Sequence, residues 1–114
     1  MASQLQRSRL RAFNRQGGRC YYCDLRMWLD GQQGPPQLRC TAEHLTAHSE
    51  GGKDSQVNIV AACWHCIRTR HKRRRPPGPE AYRVEVRRRL CRGSWVPSAV
   101  RKWAADRPGE KSGC

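Results

Sequence analysis

Acidic residues are scarce in this chain of 114 residues: 9 Asp and Glu stand against 23 Lys and Arg, a formal charge of +14. Most of the basic residues are Arg, the side chain that forks onto phosphate and stacks on bases. A chain this basic repels itself unless a polyanion neutralises it, so a nucleic acid is the expected partner. Long apolar runs are missing as well. The longest, Ile59 to Trp64, is far too short to span a bilayer, and no long amphipathic stretch favours a membrane surface. The opening MASQLQRSRLRAF lacks the apolar core of a secretory signal. A cytoplasmic location follows, where thiols stay reduced.

A chain of this length is one domain by default, with a core modest enough to need a staple. Residues 3–18 read as a basic helix: Ser3 caps it, Gln6 completes a capping box, and Gly17-Gly18 stop it. Leu10 and Phe13 would face the core. LRCTAEHL (38–45) reads as a short strand, TAHSEGGKDSQ (46–56) as a surface loop, and VNIVAAC (57–63) as the lead into a helix over about residues 63–73. RRRPPGP (73–79) breaks that helix. A second helix begins at Pro79, with Tyr82, Val86 and Leu90 on one stripe, and a third runs from Pro97 to Asp106. The tail RPGEKSGC reads as disordered. The organisation is a basic N-terminal helix (1–19), a core (20–73), and a basic Pro-containing linker with C-terminal helices and tail (74–114). Trp64, Trp95 and Trp103 read as packing residues.

Seven cysteines in a reduced compartment favour metal over disulfides. Cys20-x2-Cys23 and Cys63-x2-Cys66 stand out. A two-residue gap lets both thiolates of a pair face one ion, and two pairs complete a tetrahedron, which suits zinc. A redox dithiol or unrelated buried thiols are the other readings. Cys40 reads as a core residue and Cys114 as a tail thiol. Thirty-nine residues separate the pairs, so something is built between them.

That segment contains Glu43-His44. A carboxylate beside an imidazole suits phosphodiester hydrolysis: the carboxylate holds a divalent ion and the imidazole takes a proton from water. Gly51-Gly52 follow, then Asn58 fourteen residues after His44, then the second cysteine pair. Together, TAEHLTAHSEGG and NIVAACWHC resemble the zinc-stabilised, four-cysteine branch of the HNH nuclease family, over about residues 20–72. The resemblance implies a small α+β fold: a ββα-metal core stapled by a four-cysteine zinc site, flanked here by N- and C-terminal helices. It implies that Glu43 is a ligand of the catalytic ion, Mg²⁺ or Mn²⁺ or similar, and that His44 is the general base. Asn58 would hydrogen-bond the backbone across the loop, and Cys20, Cys23, Cys63 and Cys66 would hold a structural zinc.

One position departs from the family. Nine residues after the asparagine the family places a His or Asn that contacts the metal, and here stands Ile67, which has no lone pair. His65 lies roughly 200° round the helix from it. His71 shares the face of Ile67 but lies about 6 Å further along the axis, so direct contact would require rearrangement or a water. His48, in the loop, is the other substitute. Arg68, Arg70, Lys72, Arg73, Arg74 and Arg75 continue the helix and offer phosphate contacts. The sequence therefore reads as a metal-dependent HNH endonuclease that cleaves DNA with little sequence preference. The alternative is a zinc-stapled DNA-binding module of the same fold, with degenerate or weak catalysis because of Ile67.

Overall fold

The computed structural model describes residues 1–106. The expected tail, with Cys114, lies outside the described residues. The first helix, α1 (Gln4–Arg15), opens with the capping box: the Gln6 N–H donates to Ser3 Oγ at 3.1 Å, and the Ser3 N–H donates to Gln6 Oε1 at 2.7 Å. Gly17 and Gly18, at φ +65° and +75°, turn the chain out of the helix. The buried positions of α1 are Ser8 and Ala12, small residues one turn apart that let the helix lie close to the sheet. Leu10 sits between them in sequence, about 200° round from each, so it faces solvent at 49% exposure rather than the core as expected. Phe13 does pack inward, against Gly18.

Two strands carry the centre. β1 (Cys40–His44) and β2 (Ile59–Cys63) pair antiparallel, with Cys40 opposite Cys63, Glu43 opposite Val60 and His44 opposite Ile59. Every residue of β2 is buried, because α1 covers it. Helix α2 (Trp64–His71) follows β2 with no intervening loop, and the Cys63 side chain accepts the Cys66 N–H at its start. This is a ββα unit. Its helix ends at His71, short of the expected residue 73. The residue before a proline avoids helical geometry, and Pro76-Pro77 hold Arg73, Arg74 and Arg75 outside the helix.

Two further helices close the far side. Helix α3 (Pro79–Cys91) buries Tyr82, Val86 and Leu90 as a stripe, and α4 (Ser98–Ala105) buries Val100 and Ala104. Trp95 lies between them in sequence and is buried at 6% exposure. Cys40 is buried as expected, and burial pushes its thiol up to about 12. No helix among the described residues is long and apolar enough to cross a membrane.

The loop between β1 and β2 is pinned from both ends. Asn58 accepts the Thr46 N–H (2.8 Å) and donates to the carbonyls of Thr46 (3.0 Å) and Lys53 (2.8 Å). At Gly52 a β-carbon would come 1.7 Å from the Thr46 carbonyl oxygen, so only glycine fits. From the other side, Ser8 Oγ of α1 donates to the Asp54 carbonyl at 2.7 Å.

Candidate functional site

Cys20, Cys23, Cys63 and Cys66 are fully buried, and their sulfurs lie within 4.8 Å of one another. Sulfurs about 2.3 Å from a zinc at tetrahedral corners stand about 3.8 Å apart; Cys23 Sγ and Cys63 Sγ are 3.8 Å apart. Backbone N–H groups of Tyr22 and Cys63 donate to Cys20 Sγ, and the Trp95 indole donates to Cys66 Sγ at 3.4 Å. Such donors favour thiolate over thiol. Burial, and then the neighbouring sulfurs, holds the Cys23 and Cys66 thiols well above their usual range. Only a cation among them would hold all four sulfurs as thiolates at this spacing. The cluster is arranged to bind a metal ion, and its all-sulfur donor set and spacing are compatible with structural zinc.

Glu43 is buried at 3% exposure, where an unpartnered carboxylate would be costly. It has three partners. Tyr22 Oη donates to Oε2 at 3.0 Å, Arg70 Nη1 reaches Oε2 at 3.3 Å, and His71 Nε2 lies 3.1 Å from Oε1. Burial, and then the charge of Glu43, raises the Tyr22 phenol far above its usual value, so it remains a donor. His71 was expected to need rearrangement or a water to reach this point, and instead it touches Glu43 directly. The reason is the junction at Cys63–Trp64: with no loop after β2, the last turn of α2 comes to lie against the Glu43 carboxylate.

Neighbouring strand residues point to opposite faces, and His44 accordingly turns toward the loop. Its Nε2 lies 2.8 Å from Asp54 Oδ1, and His48 Nε2 lies 2.7 Å from the same oxygen. The two rings meet edge-on, with centroids 4.3 Å apart. Hydrogen bonds from His44 and then His48 hold the Asp54 carboxyl below its ordinary value. Asp54 was missed in the sequence. It belongs to a polar loop, and only the path of that loop, fixed by Asn58 and Ser8, brings it to His44.

An open cleft of about 590 Å³ is lined by Glu43, His44 and His48 on one side and by Ile67, Arg70 and His71 on the other. Ile67 is half-buried, faces the cleft and packs against the core. His65 meets the Trp95 ring edge-on instead, with centroids 4.8 Å apart. Of the basic residues expected at phosphate, Arg70 turns inward: besides Glu43 it donates twice to the Pro77 carbonyl, at 3.1 and 2.8 Å. Three of its five N–H groups therefore go to protein acceptors. Arg73 pairs with Glu85 at 2.7 Å. Arg68, Lys72, Arg74 and Arg75 are exposed.

Residues 20–73 match the family described as HNH endonuclease. No curated protein and no solved structure matches this chain at a significant level. The matched stretch contains both cysteine pairs, the Glu43-His44 pair, Asn58 and α2.

Proposed function

We propose that the HNH domain spanning residues 20–73 is a metal-dependent endonuclease that hydrolyses phosphodiester bonds of DNA with little sequence preference. The observation that carries this reading is the contact between Glu43 and His71 in a cleft also lined by His44. Glu43 and His71 form an oxygen–nitrogen donor pair suited to Mg²⁺, Mn²⁺ or a similar ion, and His71 stands in for the ligand that Ile67 cannot supply. When bound, a divalent ion polarises the phosphate and stabilises the leaving oxygen. The remaining steps rest on side chains. With its Nε2–H donated to Asp54, His44 keeps the Nδ1 lone pair free to take a proton from the attacking water. Asp54 acts as a positioning residue that fixes this tautomer. Asn58 holds the loop that carries Asp54. Exposed Arg68, Lys72, Arg74 and Arg75 supply non-specific phosphate contacts.

In this reading the four cysteines hold zinc, which pins the Cys20 knuckle to the start of α2 and supplies folding energy to a small core. The chain works in the cytoplasm, where the thiols of the cluster stay reduced and free to take the ion.

Ile67 supports a second reading. An apolar side chain stands where the family places a ligand, and Arg70 already neutralises Glu43. A DNA-binding module with weak or lost catalysis would have the same fold. Plasmid nicking with Mg²⁺, Mn²⁺ and a chelator separates the two: the nuclease reading requires metal-dependent nicking that chelation abolishes, and binding without nicking supports the second.

A further inference from the structure

We propose that His44, His48 and Asp54 form a second metal site, distinct from both the cysteine cluster and the Glu43–His71 pair, that takes a borderline transition-metal ion such as zinc and thereby blocks the base. One ligand atom from each of the three residues lies within 4.8 Å of the other two. Both imidazole Nε2 atoms converge on one carboxylate oxygen, at 2.8 and 2.7 Å. These are hydrogen-bond distances. Ligands held about 2.1 Å from a tetrahedral zinc stand about 3.4 Å apart, so ion entry requires the Asp54 carboxylate to withdraw by about 0.7 Å on that geometry.

The parts that must move can do so. The His48 side chain is 64% exposed and that of Asp54 29%, and His48 rides on a short 3-10 turn over His48–Glu50. The parts that must stay are fixed: His44 by its strand, and the Asp54 backbone by Ser8 Oγ. Two imidazoles and one carboxylate suit zinc, cobalt or nickel, whereas magnesium prefers oxygen. With two imidazoles against one at Glu43–His71, this place is the better of the two for zinc. An ion on His44 Nε2 takes the lone pair there, so the one proton of the neutral ring sits on Nδ1 and the lone pair that would accept from water is gone.

The blocking half of this inference rests on the role given to His44 above, whereas the binding half does not. The test uses the full chain with its cysteine site loaded, dialysed against micromolar zinc, with bound zinc counted by elemental analysis. The parent should hold one equivalent more than His48→Ala and one more than Asp54→Asn, while His71→Ala retains that equivalent. In parallel, nicking in Mg²⁺ is compared with and without zinc within each protein. Zinc should suppress the parent to background and spare a larger fraction of the rate in His48→Ala. Equal zinc counts in the parent and His48→Ala overturn the site. Loss of the extra equivalent in His71→Ala relocates it to Glu43 and also overturns the site. A retained extra equivalent without suppression overturns the block. If the parent does not nick at all, the nuclease reading fails and the dialysis alone decides the site.

Discussion

His71 Nε2 lies 3.1 Å from Glu43 Oε1, linking the last turn of α2 to the middle of the sheet. A metal ion shared between them would replace a contact that already exists, so little rearrangement is needed. His71→Ala should therefore raise the Mg²⁺ or Mn²⁺ concentration for half-maximal nicking by tenfold or more, about 1.4 kcal/mol per decade. His71→Ala with an unchanged metal requirement would remove it from the ligand set.

Ile67 lines the same cleft. Ile67→His adds a lone pair on a rigid helix facing Glu43, and the metal requirement should fall. Part of the gain will be offset by lost burial, on the order of 1 kcal/mol for a half-buried aliphatic side chain, so thermal melts accompany the titration. A folded Ile67→His protein that cleaves no better at any metal level would mean that Ile67 does not face the ion.

Serine at Cys20, Cys23, Cys63 or Cys66 should unfold or severely destabilise the chain, because metal-binding energy here is folding energy. Metal analysis should find zinc in the purified protein at one equivalent in these cysteines. A folded protein with an empty cysteine cluster would contradict the assignment.

Asn58→Ala removes three hydrogen bonds to the backbone of Thr46 and Lys53. At about 1 kcal/mol each, the loss should be roughly 2–3 kcal/mol by denaturant melt. Nicking should fall further than stability alone explains, since Asp54 then loses its position beside His44. A stability loss within about 0.5 kcal/mol, of the kind expected for an ordinary surface position, would show that the loop is held by other means.

The cysteine cluster was legible because two-residue spacing alone brings paired thiolates together. The capping box at Ser3 and Gln6 and the buried stripe of α3 were legible for the same reason: local periodicity encodes them. Other features depend on where separate elements meet. Leu10 was misplaced because the face of α1 is set by how closely Ser8 and Ala12 approach β2. The contact of His71 with Glu43 was underestimated, because distance along the helix axis from Ile67 says nothing about where a carboxylate on another strand ends. Asp54 was missed because it reaches His44 only through a folded loop. The inward turn of Arg70 follows from the need of buried Glu43 for a cation, and the sequence does not encode that burial.

DNA affinity should depend on salt through the exposed basic residues. If about six phosphates are contacted, a plot of log affinity against log salt should have a slope near about −5. A flat dependence would point to a partner other than a nucleic acid.

The most direct test of the nuclease reading is plasmid nicking by His44→Ala, with zinc content and DNA binding measured on the same preparation. His44 is remote from the cysteine cluster, so its removal should abolish nicking and leave cysteine-bound zinc and DNA affinity nearly intact. Nicking at the parent rate by a folded, zinc-loaded His44→Ala protein would contradict the assignment of His44 as the base.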